Sequence, residues 1–166
     1  MMDSKLPDFE DYLKYSLAKL TIRIPVHVKM LSSTAKLPTY STASAACADL
    51  YADEDLIFWP GDVRKIHTGI AMSIPRGYFG AIYPRSGFAT NKGARLANGT
   101  GIIDSDYRGE IIIPLVNGGD NSISIHKGDR IAQIAILPVE RVAFLEAADL
   151  DTTQRGEGGF GSTGIV

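Results

Sequence analysis

Apolar and polar residues alternate strictly from Thr21 to Lys29. Ile22, Ile24, Val26 and Val28 fall on one parity, and Thr21, Arg23, Pro25, His27 and Lys29 on the other. A two-residue period puts the apolar set on one face of a half-buried strand. Upstream, Phe9, Leu13, Leu17 and Leu20 follow Pro7-Asp8 at helical spacing. Residues 1–20 therefore predict a short helix, packed on the domain or on another subunit, or else a leader outside the fold. Downstream, β-prone runs arrive in series: Val63–Ala71, Tyr78–Tyr83, Ile111–Val116, Ile123–Ile125 and Ile131–Val139. Turn signals separate them, among them Pro60-Gly61-Asp62, Pro75-Arg76-Gly77, Asn117–Asn121 and Lys127-Gly128-Asp129. The other helical candidate spans Gly87–Arg95. Many short strands with regular turns, and no βα alternation, predict an all-β sandwich, jelly roll or barrel.

The apolar pattern stops near Leu150. The stretch from Arg155 to Gly164 carries five glycines around a single aromatic, Phe160. Such a segment builds no core and is either a loose terminus or a tail that orders on a ligand. The chain thus divides into an extension (1–20), a β domain (21–150) and a Gly-rich tail (151–166).

Composition narrows the function. A chain of 166 residues, 45% hydrophobic, is long enough for one globular core. The formal charge of −2 leaves no basic field for nucleic acid, so any anionic ligand must be held by a few placed cations. The single cysteine, Cys47, excludes an internal disulfide and a CxxC metal site, and among alanines it is expected to be a small buried residue. No segment has the length of a membrane span, and the acidic N-terminus matches neither a secretory nor a mitochondrial signal. A cytoplasmic location, or a nuclear one in a eukaryote, is expected.

The stretch Asn98–Glu110 reads Asn-Gly-Thr-Gly-Ile-Ile-Asp-Ser-Asp-Tyr-Arg-Gly-Glu. Wedged between β-prone runs, it predicts a hairpin carrying Asp104, Asp106 and Tyr107. On a regular strand the two carboxylates would share a face, where they hold a cation or divide acid and base roles; alternatively they fix the turn through backbone amides. The second reading is favoured for Asp106 and the first for Asp104. Arg85 and Arg155 each stand beside glycine and hydroxyl residues (Ser86 and Gly87; Ser162 and Thr163), where backbone amides approach a ligand closely. Arginine's fork grips phosphate oxygens, so polyphosphate binding is expected. Gly156-x-Gly158-x-x-Gly161 copies a dinucleotide fingerprint but lacks the strand-to-helix setting that makes it work. His27, His67 and His126 are scattered through expected strands without metal-ligand spacing, which argues against zinc.

Five stretches in order resemble the signature set of the homotrimeric dUTPases (deoxyuridine triphosphate nucleotidohydrolases). They are Ala46–Tyr51; Pro84-Arg85-Ser86-Gly87; Asn98-Gly99 with Ile103–Gly109; Gly128–Gln133; and Arg155–Gly164. The resemblance covers roughly Thr21 to Val166. It implies a distorted jelly roll or β-clip-like barrel with a flexible C-terminal tail, to which the spacing within residues 1–20 adds a short N-terminal helix. It implies a homotrimer with three shared sites that convert dUTP and water to dUMP and pyrophosphate with Mg²⁺. That reaction keeps dUTP low and supplies dUMP for thymidylate synthesis.

By resemblance, Asp104 is the general base for water attacking the α-phosphate. Asn98, Gly99 and Ile103 receive uracil and deoxyribose, Tyr107 excludes a 2′-hydroxyl, and Phe160 stacks on the base. Arg85, Ser86, Gly87 and Gln133 meet the phosphates, and Arg155, Gly161, Ser162 and Thr163 close on the γ-phosphate. Asp49 touches Mg²⁺ only through water. Cys47-Ala48 departs from the usual glycine followed by a larger residue. The alternatives are a dCTP deaminase on the same scaffold and a non-catalytic nucleotide-binding trimer; an intact Asp104 disfavours the latter.

Overall fold

The computed structural model describes residues 24–159. Ten strands and one short helix follow in order: β1 (His27–Met30), β2 (Ala48–Tyr51), β3 (Leu56–Phe58), β4 (Val63–Ser73), β5 (Tyr78–Tyr83), α1 (Ser86–Lys92), β6 (Ala94–Leu96), β7 (Gly101–Ile103), β8 (Glu110–Asn117), β9 (Ile123–Ile125) and β10 (Arg130–Pro138). They form two four-stranded sheets, β1-β4-β8-β6 and β2-β10-β5-β7, and a two-stranded ribbon, β3-β9. Every ladder is antiparallel. The expected all-β class holds, as a distorted jelly roll. The helix expected within residues 1–20 lies outside the described residues.

Alternation explains how the strands find the core. Along β8, Ile111, Ile113, Leu115 and Asn117 are buried while Glu110, Ile112, Pro114 and Val116 are half-buried. A period of two lets one strand supply Ile111, Ile113 and Leu115 to a single face. These pack in one apolar cluster with Ile66 and Ile70 of β4, Leu50 of β2, Phe58 of β3 and Ile131 of β10. Burying each such side chain stabilises the fold by about 1.5–3 kcal/mol. Asn117 is a polar member of this interior. Its Nδ2 donates to Phe58 O (3.1 Å) and Asn121 O (2.8 Å), and Gly119 N donates to its Oδ1 (3.0 Å). Thus the strand's last side chain ties the β3-β9 ribbon to the larger sheet.

Four expectations are corrected. The first strand pairs only from His27 to Met30. Pro25 lacks the N–H that a ladder needs, so pairing begins beyond it, although Val26 and Val28 keep the expected inward parity. The helix expected over Gly87–Arg95 spans Ser86–Lys92 and ends at Gly93, whose φ of +70° is left-handed. A Cβ there would come within 2.6 Å of Gly119 N, so the position is closed to other residues on two counts. Arg95 already belongs to β6.

The third correction concerns Asn98–Glu110, which is not a simple turn: its flanks β6 and β8 do pair antiparallel, as a hairpin requires, but a further strand, β7, lies between them. β7 pairs with β5, whereas β8 pairs with β4 and β6. The stretch carries the chain from one sheet to the other and back. Alternation could not distinguish these arrangements, because both place a turn between two strands. Fourth, Cys47 is half-buried rather than buried. It stands one residue before β2, outside the ladder that buries Ala48.

Candidate functional site

Sheet register lines up one group of the candidate residues. Gln133 of β10 stands opposite Asp49 of β2 on one side and Tyr83 of β5 on the other. Residues directly opposite in a ladder point to the same face, so Asp49, Gln133 and Tyr83 form one row. Arg85 follows two residues after Tyr83, in the bend between β5 and α1. Its Nε donates to Asp49 Oδ1 at 2.8 Å. Gln133 Nε2 donates to Pro84 O at 2.8 Å and holds the same bend.

Asp49 is the hub of this row. It is 5% exposed. Its Oδ2 accepts from Ser41 Oγ (2.7 Å) and Arg130 Nη1 (3.3 Å). Burial pushes its carboxyl up, but the Ser41 hydroxyl and the two guanidiniums outweigh that and leave it below the usual carboxylate range. Asp49 therefore stays ionised and holds Arg85 in place by a charge-assisted bond. Arg85 Nη1 also donates to Arg130 O at 3.4 Å. With Nε on Asp49 and Nη1 on Arg130 O, only Nη2 makes no bond among the described residues. Ser86 and Gly87 open α1, where no side chain caps the helix. The first amides of a helix have no partner within it. A Cβ on Gly87 would meet nothing closer than 3.9 Å, so the surrounding chain gives no steric reason for glycine at that position.

The second group lies on the sheet-to-sheet stretch. Asp104 and Asp106 are exposed and sit in a turn, not on a strand, so the shared face expected for them does not exist. Nor does Asp106 hold that turn. Tyr107 N donates to Asp104 O (3.1 Å), and Arg108 Nη1 donates to Ser105 O (2.7 Å) and Tyr107 O (2.8 Å). Arginine reaches carbonyls that a carboxylate, an acceptor only, cannot satisfy. Tyr107 donates its hydroxyl to Glu110 O at 3.0 Å. Its ring lies over Gly109, where a Cβ would come within 2.4 Å of the hydroxyl oxygen. Gly99 turns with φ +71° and its neighbourhood is open, while Asn98 O accepts from Thr100 N at 2.8 Å. Ile103 is half-buried and packs on the core beside Gly80.

The two groups are apart within one chain. Ile103 is level with Gly80, and Arg85 lies five residues further along. At about 3.3 Å per residue that separation is on the order of 15 Å, more than the side chains bridge. Arg155 is in neither group. It is exposed, and its Nε donates to Gly158 O at 2.8 Å within a local turn. Phe160, Gly161, Ser162 and Thr163 lie outside the described residues. Two contributors escaped the sequence reading, Ser41 and Arg130. Arg130 stands in the Gly128–Gln133 motif, but its role becomes visible only when β10 is set against β2. Ser41 carried no local signal at all.

The donors do not form a protein-built metal cage. Among the described residues no three His, Cys, Asp or Glu side chains gather where they could hold an ion. Nor does any described helix have the length and apolarity to cross a membrane.

The Asp49–Gln133–Arg85 row on one sheet and the turn presenting Asp104 and Tyr107 both fall within the span of a family match. The dUTPase family model covers residues 33–164, and the chain belongs to that family. A deoxyuridine 5′-triphosphate nucleotidohydrolase of Syntrophotalea carbinolica is 48% identical over 144 residues, 86% of this chain and 98% of the relative. One from Anaplasma marginale is 49% identical over 130 residues, 77% of this chain and 88% of the relative. Among solved structures, the dUTPase of Staphylococcus bacteriophage 80alpha with dUpNHpp superposes with a TM-score of 0.80 at 28% identity, covering 85% of this chain and 99% of that one. A phage phi11 dUTPase described with a structural Mg(II) ion shares the fold, with a TM-score of 0.72 at 23% identity, covering 77% of this chain and 99% of that one.

Proposed function

We propose that this protein hydrolyses dUTP to dUMP and pyrophosphate, in a homotrimer whose sites are shared between subunits. The observation that carries the shared site is the separation of Asp104 from Arg85 in one chain. A base and a phosphate grip on the order of 15 Å apart cannot serve one α-phosphate unless a second chain supplies one of them. The tail, residues 151–166, then comes from a third chain to close over the site.

The chemistry follows from the groups present. Asp104, exposed and free of side-chain bonds among the described residues, orients a water and takes its proton as the oxygen attacks the α-phosphorus. The bond from the α-phosphorus to the α–β bridging oxygen breaks, and pyrophosphate leaves. Arg85, held by Asp49, offsets charge on the phosphate oxygens, with the Ser86 and Gly87 amides and Gln133 beside it. A tight approach by phosphate there accounts for glycine at 87. Asn98, Gly99 and Ile103 receive the uracil and sugar, Tyr107 walls off the 2′-carbon, and Phe160, Arg155, Gly161, Ser162 and Thr163 complete the closure.

The donor set fits a Mg²⁺ that arrives on the triphosphate, since that ion keeps its waters and needs few protein ligands. When bound it would neutralise phosphate charge. Asp49, with both oxygens engaged, would meet only its water shell. A cytoplasmic enzyme, or a nuclear one in a eukaryote, fits this substrate.

Purified protein with Mg²⁺ should release pyrophosphate and dUMP from dUTP, with little turnover of UTP, dCTP or dTTP. Equal turnover of dCTP, or ammonia release, would overturn the assignment. An active monomer on sizing would overturn the shared site alone.

A further inference from the structure

Glu110 occupies a joint that no step of the reaction uses. β4 carries a bulge there: Thr68, Gly69 and Ile70 stand where β8 has Ile111 alone, between the pairs His67↔Ile112 and Ala71↔Glu110. Gly69 takes a φ of +67°, and a Cβ on it would lie 2.5 Å from Asp53 Oδ2, so the bulge is fixed in shape. The Glu110 carboxylate clamps it from β8. Oε1 accepts from Gly69 N at 2.8 Å, and Oε2 meets His67 Nδ1 at 2.8 Å. The backbone carbonyl of the same residue accepts the Tyr107 hydroxyl at 3.0 Å. One residue therefore connects a rigid bulge to the tyrosine ring, with Gly109 beneath that ring as its floor.

We propose that Glu110, braced by His67, is a positioning residue for Tyr107 and so sets how strongly the site prefers 2′-deoxyribose to ribose. The proposal rests on the reading of Tyr107 as the wall of the sugar pocket. Rejecting one hydroxyl requires the ring to stay within a few tenths of an ångström of its place, since a ring free to swing makes room for it. Both carboxylate oxygens of half-buried Glu110 are bonded to the bulge and its carbonyl to the Tyr107 hydroxyl, so a displacement of Glu110 is passed to the ring.

His67 gives the brace a pH dependence. The charged groups facing it are Glu110 from β8 and Asp53 and Glu54 from the β2–β3 loop. Glu54 Oε1 accepts from His67 N (2.7 Å), and Asp53 N donates to His67 O (2.8 Å). The Glu110 bond, partly opposed by burial and joined by the charges of Glu110, Glu54 and Asp53, raises the imidazole above its usual 6.5. The ring is thus cationic, and the brace strongest, below that raised value.

Steady-state kinetics with dUTP and UTP on the full chain test this, comparing wild type with Glu110→Ala, Glu110→Gln, His67→Ala and Tyr107→Ala. Glu110→Ala should raise KM for dUTP by about three- to tenfold, the range spanned by one lost hydrogen bond, with kcat nearly unchanged. The preference for dUTP over UTP should shrink by a similar factor. Glu110→Gln keeps an acceptor for Gly69 and a polar partner for His67, and should restore both quantities while flattening the pH profile of KM. His67→Ala should move KM in the same direction by less and abolish the rise in KM above neutral pH. If Glu110→Ala fails to fold, the exposed His67 carries the test through His67→Ala. An unchanged KM and dUTP/UTP ratio in Glu110→Ala, or in His67→Ala in that case, while Tyr107→Ala shifts both, overturns the positioning role. If Tyr107→Ala also leaves both unchanged, the sugar-wall reading falls with it. A loss of kcat at constant KM overturns the proposal too.

Discussion

Asp49 and Asp104 are both carboxylates of the candidate site, and their settings are opposite. Asp49 is buried in a sheet and bonded to Ser41, Arg85 and Arg130. Asp104 is exposed in a turn, and its recorded contact is a backbone bond from Tyr107. The first is finished within one chain: its charge is already compensated, and it holds a cation where phosphate would bind, so little reorganisation remains for the substrate. The second is left open, which suits the proposed base, because a carboxylate saturated with donors no longer takes a proton from water. The sheet row is built for pre-organisation and the turn for chemistry completed by other groups.

The largest effects should come from breaking the two halves separately. Asp104→Asn removes the base and should lower kcat by about 10²- to 10⁴-fold with dUTP analogue binding retained. Arg85→Ala should instead weaken binding of the triphosphate. Denaturing the two inactive variants together and refolding them should restore part of the activity if sites are shared as proposed, because mixed trimers would then contain sites with an intact Asp104 from one chain and an intact Arg85 from another. No recovery in mixed trimers verified by mass spectrometry would mean that each site is built from a single chain.

Next in size is Asp49→Asn. It keeps the shape but withdraws the charge that faces Arg85 and Arg130. Breaking a buried pair costs about 3–5 kcal/mol, and since both arginines keep some access to water the loss here should be nearer about 2–3 kcal/mol. Chemical denaturation checks that value, and KM for dUTP should rise because Arg85 is no longer aimed. Smaller again is Gly109→Ala, whose Cβ would overlap the Tyr107 ring. The ring must move, so turnover of UTP should rise relative to dUTP while the melting temperature changes little. A crystal structure with Tyr107 still in place would show that the backbone gave way instead.

Much of this was legible in the sequence, and the gaps have a common cause. The strands of the core announce themselves through period-two alternation, as in Ile111–Val116, and the turns through Gly and Pro. The site residues stood out because glycine, hydroxyl and arginine cluster in short motifs. What alternation does not encode is which strand pairs with which. Hence Asn98–Glu110 read as a simple hairpin although, between its paired flanks β6 and β8, the chain crosses to the other sheet as β7. For the same reason Ser41 and Arg130 were not seen beside Asp49, a contact created by the register of β10 on β2. The turn at Asp104 was misassigned to Asp106 because Asp is a frequent turn residue, whereas here the longer Arg108 reaches two carbonyls.

The two regions should also fail at opposite ends of the pH scale. Asp49 has a folded pKa below its unfolded value, so its contribution to stability is present above the unfolded value, near 3.8, and is lost as pH falls through the folded one. His67 is raised, so its contribution is fully present below about 6.5 and is lost as pH climbs through its folded value. With the His67 side chain about half open to water, the His67–Glu110 pair is worth on the order of 1 kcal/mol. The stability gap between wild type and Asp49→Asn should therefore narrow on acidification below about pH 4, and the smaller gap to His67→Ala should narrow on alkalinisation above neutrality. Urea denaturation at a series of pH values separates the two. A His67→Ala gap that widened with rising pH would mean that neutral imidazole, not its cation, is the form Glu110 holds, and would remove the charge from the brace while leaving its hydrogen bond.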